Sequence, residues 1–155
     1  MMALLSLLIS LGLVGAAAST GARFRPDTWY RSLAKPAWTP PDLAFPIAWG
    51  ILYLLMAVAA WRVYLAEPSV ARSAGLVCYL LQLAANAAWS WLFFGRRKTF
   101  SALLDIVLLL GLIVATTALF ARASEFAAWL MAPYILWVML ALALNASVWR
   151  LNRHA

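Results

Sequence analysis

Three sets of side chains in this 155-residue chain have the types and spacing to contact a ligand. Gln82, Asn86 and Ser90 recur at intervals of four, so a helix gathers them into one polar stripe. Trp49, Tyr53 and Met56 follow at spacings of four and three on another segment, and Tyr134, Trp137, Ala141 and Asn145 fall on approximately one face of a third. Amides and hydroxyls of this kind orient a ligand by hydrogen bonding, and flat aromatic rings offer a stacking surface for a large planar apolar ring system. No nucleophile with a neighbouring base is visible, so the chemistry on offer is recognition. The polar stripe has two readings. It lines a ligand cavity, or it glues helices together at about 0.6 kcal/mol per interhelical contact, and position alone does not separate them.

Metal chemistry lacks a ligand set, because Cys78 and His154 are the only residues of their kinds. Cys78 has no partner for an internal disulfide and reads as a small buried hydrophobe. Asp105 is the one acidic residue within an apolar run, and carboxylates at such positions are expensive. It lies seven residues past Lys98, about 10 Å along a helix, so pairing with Arg96, Arg97 or Lys98 is expected ahead of a proton-relay role. Ala84 and Ala88 lie roughly opposite the polar stripe and form a candidate small-residue contact with a second protomer.

The elements that must position these residues are membrane spans. With 66% hydrophobic and 11% charged residues, the chain has too little polar surface for a soluble globule of its size. Five charge-poor runs, about 2–22, 45–66, 73–94, 99–121 and 126–149, are each long enough to cross a bilayer as a helix. They are continuously apolar and do not alternate at period two, which excludes a β-barrel. The expected architecture is an all-α integral membrane protein, one domain over residues 1–155. The first run has no Lys or Arg before it and exceeds a typical signal-peptide core, so it is expected as a retained span.

The net charge of +7 is therefore not a nucleic-acid signature, and its distribution across the membrane is what informs. Five spans put nine of the twelve cations (Arg23, Arg25, Arg31, Lys35, Arg96, Arg97, Lys98, Arg150 and Arg153) on one side. The positive-inside rule makes that side cytoplasmic, with the N-terminus outside, and leaves inner and outer membranes undistinguished. The longest connection, residues 23–44, holds four of the seven prolines and the aromatics Trp29, Tyr30 and Trp38. A connection this long is functional or disordered, and its aromatic content argues for an ordered lid. Asp27 or Thr28 is expected to cap a helix of one or two turns ending before Pro36. With directions fixed, Trp49 lies one turn below the lid, Asn86 about 12 Å deep and Trp137 about 18 Å deep, so these three line a pocket beneath the lid if they face inward. Cations such as Arg31 and Lys35 can meet ligand carboxylates there.

The motifs WYRSLAKPAWTPP at Trp29–Pro41, FPIAWGILY at Phe45–Tyr53, NAAW at Asn86–Trp89, PYILW at Pro133–Trp137 and LNASVWRLN at Leu144–Asn152 resemble the translocator protein, or tryptophan-rich sensory protein, family (TspO/MBR) over essentially the whole chain. The resemblance implies a five-helix bundle, commonly a homodimer, that needs no cofactor and binds porphyrins such as protoporphyrin IX, sterols and benzodiazepine-type ligands under the first loop. It implies Trp49, Asn86 and Trp137 as pocket residues with Tyr30 and Trp38 in the lid. Ala146 stands where the family's sterol motif has an aromatic residue, which weakens the sterol expectation for that segment. Three functions follow from the resemblance and the residues together: a porphyrin receptor with a sensing or transport-linked role; a light- and oxygen-dependent porphyrin-degrading enzyme using Trp49 and Trp137; and a proton-coupled transporter relying on Asp105.

Overall fold

A computed structural model describes residues 2–24 and 26–153. Arg25 and His154 lie outside the described residues. The elements are α1 (Met2–Arg23), α2 (Thr28–Ser32), α3 (Ala44–Tyr64), α4 (Val70–Ser90), α5 (Thr99–Ala123) and α6 (Glu125–Asn152), with α4 prolonged by a π-helical turn at Trp91–Gly95. All but α2 are long and apolar enough to span a bilayer. Among the described residues there is no strand.

Packing closes the five spans into a ring in the order α1, α3, α6, α5, α4, with a further α3–α4 contact across it. The outside is apolar: Leu4, Ile47, Leu54, Leu108 and Leu136 are all more than half exposed, which suits helices whose outer faces are solvated by lipid. The protein is an integral, multi-pass membrane protein. Inside, Met56, Ala57, Val63, Phe120, Met131, Tyr134 and Val138 are fully buried. Polar groups reinforce several contacts, among them Ser10 Oγ donating to the Ala57 carbonyl between α1 and α3 (2.7 Å). Thr116 and Thr117 bond back to the carbonyls four residues earlier, as expected for hydroxyls with no other partner in lipid.

The helix ends follow from local chemistry. Asp27 caps α2 by accepting from the Tyr30 N–H at 3.0 Å, and α2 stops at Ser32 before Pro36. Ser69 and Ser124 cap α4 and α6 in the same way. Pro133 lies within α6 and leaves it continuous. The loop between α1 and α3 is ordered against the end of the bundle: Asn152 donates to the Ala34 carbonyl and accepts from the Ala34 N–H, at 2.9 and 3.0 Å, and Arg97 pairs with Asp27 at 2.9 Å.

The expected pairing of Asp105 is not found. Its Oδ2 is buried without a hydrogen-bond partner, and both arginines at the α4–α5 turn are engaged elsewhere. The π turn and the left-handed backbone of Arg97 (φ 55°) send that guanidinium to Asp27 and over the Trp29 ring, while Arg96 lies over Trp91.

Two glycines mark close approaches. A Cβ on Gly95 would lie 2.9 Å from the Phe24 ring, and one on Gly75 would lie 3.0 Å from the Phe120 ring and 3.2 Å from Leu119. Gly111 has nothing within 4 Å of that position. Gly75→Val is therefore expected to destabilise the bundle by about 1–3 kcal/mol through overpacking of α4 on α5. Gly111→Ala should be neutral or stabilising. Thermal denaturation in detergent compares the two.

Candidate functional site

The inward faces of α3, α4 and α6 meet near mid-helix in one hydrogen-bonded chain. The Tyr53 hydroxyl donates to Asn86 Oδ1 (2.7 Å), Asn86 Nδ2 donates to the Tyr134 hydroxyl oxygen (3.1 Å), and the Tyr134 hydroxyl donates to Gln82 Oε1 (2.9 Å). Gln82 Nε2 ends the chain on the Met56 sulfur at 3.8 Å. Each hydroxyl and each amide donates once along this path. Gln82 and Tyr134 are completely buried and Asn86 nearly so, so in this conformation the network fills the bundle interior. The polar stripe of three residues thus makes interhelical bonds at two of them. Ser90 is only half-buried and faces Gly21 of α1.

Towards the loop, an aromatic layer covers the network. Trp49 stacks on Tyr53 (centroids 5.4 Å apart) and meets Tyr134 edge-on (6.1 Å), and Phe45 meets Trp137 edge-on (5.7 Å). Phe45, Trp49, Tyr53 and Trp137 are half-buried. The indole Nε1 of Trp137 is buried with no partner, an uncommon state for a group that normally finds an acceptor. Ala141, two turns beyond Tyr134 on α6, is buried and adds no bulk.

A second cluster lies directly beneath α2. Tyr30 is buried against Phe93 and Phe94 at 6.1 and 5.4 Å, and burial, aided by nearby Asp42, raises its phenol above the usual range. Trp89 Nε1 donates to Asn145 Oδ1 (3.0 Å), and Asn145 Nδ2 donates to the Thr99 carbonyl (2.9 Å). Lys35 Nζ donates to the Tyr30 carbonyl at 2.6 Å and reaches those of Arg31 and Leu33, a cation satisfying the end of a helix. Trp38 is half exposed. Tyr30 and Trp38 thus both belong to the loop but occupy different surroundings. Ala84 is exposed and Ala88 half-buried on the outer side of α4.

Phe45 and Trp89 take part in these clusters without standing out as ligand contacts from spacing, whereas Met56 and Asn145 lie on the faces that spacing marks but bond to Gln82 and Trp89. Phe45 precedes the helical repeat of Trp49 and Tyr53. Met56 acts through a weak acceptor that no motif advertises.

Ring architecture, a buried polar chain and an aromatic layer at one end define a small helical membrane protein with a candidate site inside its bundle. The chain belongs to the TspO/MBR family, whose model matches residues 3–150. It is 43% identical over 137 residues to "Protein CrtK" of Rhodobacter capsulatus, covering 88% of this chain and 86% of that one. It is 40% identical over 142 residues to the "Tryptophan-rich sensory protein" of Cereibacter sphaeroides, covering 92% and 88%. The "Translocator protein" of Homo sapiens is 38% identical over 126 residues, covering 80% and 75%.

Two outcomes follow. Asn86→Ala strands the Tyr53 hydroxyl, removes the donor to the Tyr134 oxygen, and is expected to cost about 1–3 kcal/mol, read as a lowered thermal midpoint; Ser90→Ala should leave it nearly unchanged. The Asp27 carboxyl is held below its ordinary value of 3.8, first by the Tyr30 N–H and then by Arg97. Its folded value is depressed, so its contribution is complete above pH 3.8 and is lost as the pH falls further. Proteolysis of the loop should accelerate in that acid range, and Asp27→Asn should show the faster cleavage already at neutral pH.

Proposed function

We propose that the protein is a membrane receptor for porphyrins and related planar apolar ligands, with a sensing or transport-linked role. The observation that carries this reading is the half-buried aromatic layer of Phe45, Trp49, Tyr53 and Trp137 lying on the Gln82–Asn86–Tyr134 chain. Rings of this kind present flat, rigid surface to a tetrapyrrole, and the unpaired Trp137 indole N–H offers a donor at its edge. Entry of the ligand separates Trp49 from Tyr134 and leaves the hydrogen-bonded chain as the floor of the pocket.

In this reading the loop over residues 23–44 is the lid, anchored by Asn152 and Arg97 and carrying Tyr30 and Trp38. Lys35 is spent on the end of α2, which leaves Arg31 as the lid cation for a propionate. Sterol and benzodiazepine-type ligands fall to the same aromatic layer. Two copies associate through the small-residue face at Ala84 and Ala88, where exposure of Ala84 favours a helix contact. The lid side is cytoplasmic by the distribution of cations.

Quenching of tryptophan fluorescence by protoporphyrin IX in detergent tests the site. Trp49→Ala and Asn86→Ala are each expected to weaken binding about tenfold or more, the loss of one anchoring contact. Trp149→Phe, at the end of α6 against Phe100, should leave affinity unchanged. Equal affinity in all three variants and the wild type would overturn the assignment.

A further inference from the structure

At the end of the bundle away from the loop, a cleft of about 490 Å³ opens between the α3–α4 and α5–α6 turns. Arg62, Arg122 and Glu67 line it together with Ser69 and Ser124. The two serine oxygens accept as helix caps from the N–H groups of Arg72 and Ala127, which holds both side chains against their helix starts. Recognition of charge in the cleft falls to the three charged side chains. They do not neutralise one another: the ion pair found among the described residues is Arg97–Asp27, at the other end of the bundle. Two guanidiniums and a carboxylate thus share one cleft with their charges apart.

The cleft also sits where a lipid headgroup sits. Arg62 and Arg122 close apolar spans, α3 ending at Tyr64 and α5 at Ala123, so the cleft lies at the membrane–water boundary. From the same α5–α6 turn a second groove of about 330 Å³ is lined by Thr117, Ala121, Ala128 and Ala132, with Trp129 beside it 69% exposed. Glu125 is its one ionisable residue. Small side chains flanked by a large aromatic shape a seat for an acyl chain.

We infer that this end of the protein binds a phospholipid with a zwitterionic, primary-amine headgroup, its phosphate on Arg62 and Arg122 and its ammonium on Glu67. Guanidiniums match phosphate oxygens in planar, paired hydrogen bonds. A primary ammonium donates hydrogen bonds to a carboxylate, whereas a trimethylated one has none to give. Phosphatidylethanolamine is accordingly preferred over phosphatidylcholine, and over phosphatidylglycerol, which lacks the cation.

Native mass spectrometry of the protein released from nanodiscs containing the three lipids in equal amounts reads the preference. The expected result is retention of phosphatidylethanolamine about tenfold above the others, the scale of one charge-assisted hydrogen bond. The double variant Arg62→Gln/Arg122→Gln should lower retention of all three lipids about tenfold. Glu67→Gln should abolish only the preference for the amine. These side chains are exposed and make no contacts that hold the fold, so an unchanged thermal midpoint verifies the variants. Equal retention of the three lipids by the wild type, or variants that behave like it, would overturn the inference. So would displacement of lipid by an equal concentration of soluble O-phosphoethanolamine, which would assign the cleft to a free ligand. Protoporphyrin binding at the opposite end is read separately and does not decide this outcome.

Discussion

One carboxamide, that of Asn86, joins two phenols from different helices in a region where water is not available to replace it. A buried donor or acceptor without a partner costs about 1–3 kcal/mol, so Tyr53, Asn86 and Tyr134 each restrict where the other two can sit. The positions of α3, α4 and α6 relative to one another depend on that restriction. Apolar packing alone would not impose it, because lipid tails solvate the same leucines that line the bundle and helix association gains little from hydrophobicity in a membrane. Trp49 is held against Tyr53 and Tyr134, so the aromatic layer inherits its geometry from the polar chain below it.

A second polar level, at the end of the bundle, fixes the loop. Asn152, Asp27, Arg97 and Lys35 direct their polar atoms onto loop backbone or onto one another. Between the two levels lie Tyr30, Phe93 and Trp89, largely apolar, of which Tyr30 and Trp89 carry hydrogen-bonding handles. Trp89 uses its own on Asn145, which in turn holds the Thr99 carbonyl at the start of α5. The α4–α5 turn therefore belongs to the same rigid end as the loop, and the positive φ of Arg97 is the backbone cost of aiming its guanidinium there.

The five spans were legible because lipid demands long uninterrupted apolar runs, and their ends because Asp27, Ser69 and Pro36 carry capping or breaking chemistry. The inward facing of Trp49 and Asn86 was legible only as a condition. The stripe of Gln82, Asn86 and Ser90 shows why: each step of four residues overshoots a full turn by about 40°, so Ser90 has drifted about 80° from Gln82 and leaves the network. The π turn at Trp91–Gly95 had no marker in WLFFG, and beyond it Arg96 and Arg97, two of the cations that the spacing assigned to Asp105, point elsewhere. The contact between Ala34 and Asn152 spans 118 positions and involves a backbone that no side-chain pattern reports.

That clasp also orders events during biosynthesis. A chain made at roughly 5–20 residues per second takes about 6–24 s to add 118 residues. Throughout this interval the loop lacks the amide that fixes it. The loop therefore spends its early life without its anchor and is fixed only when α6, which carries Asn152, completes the ring.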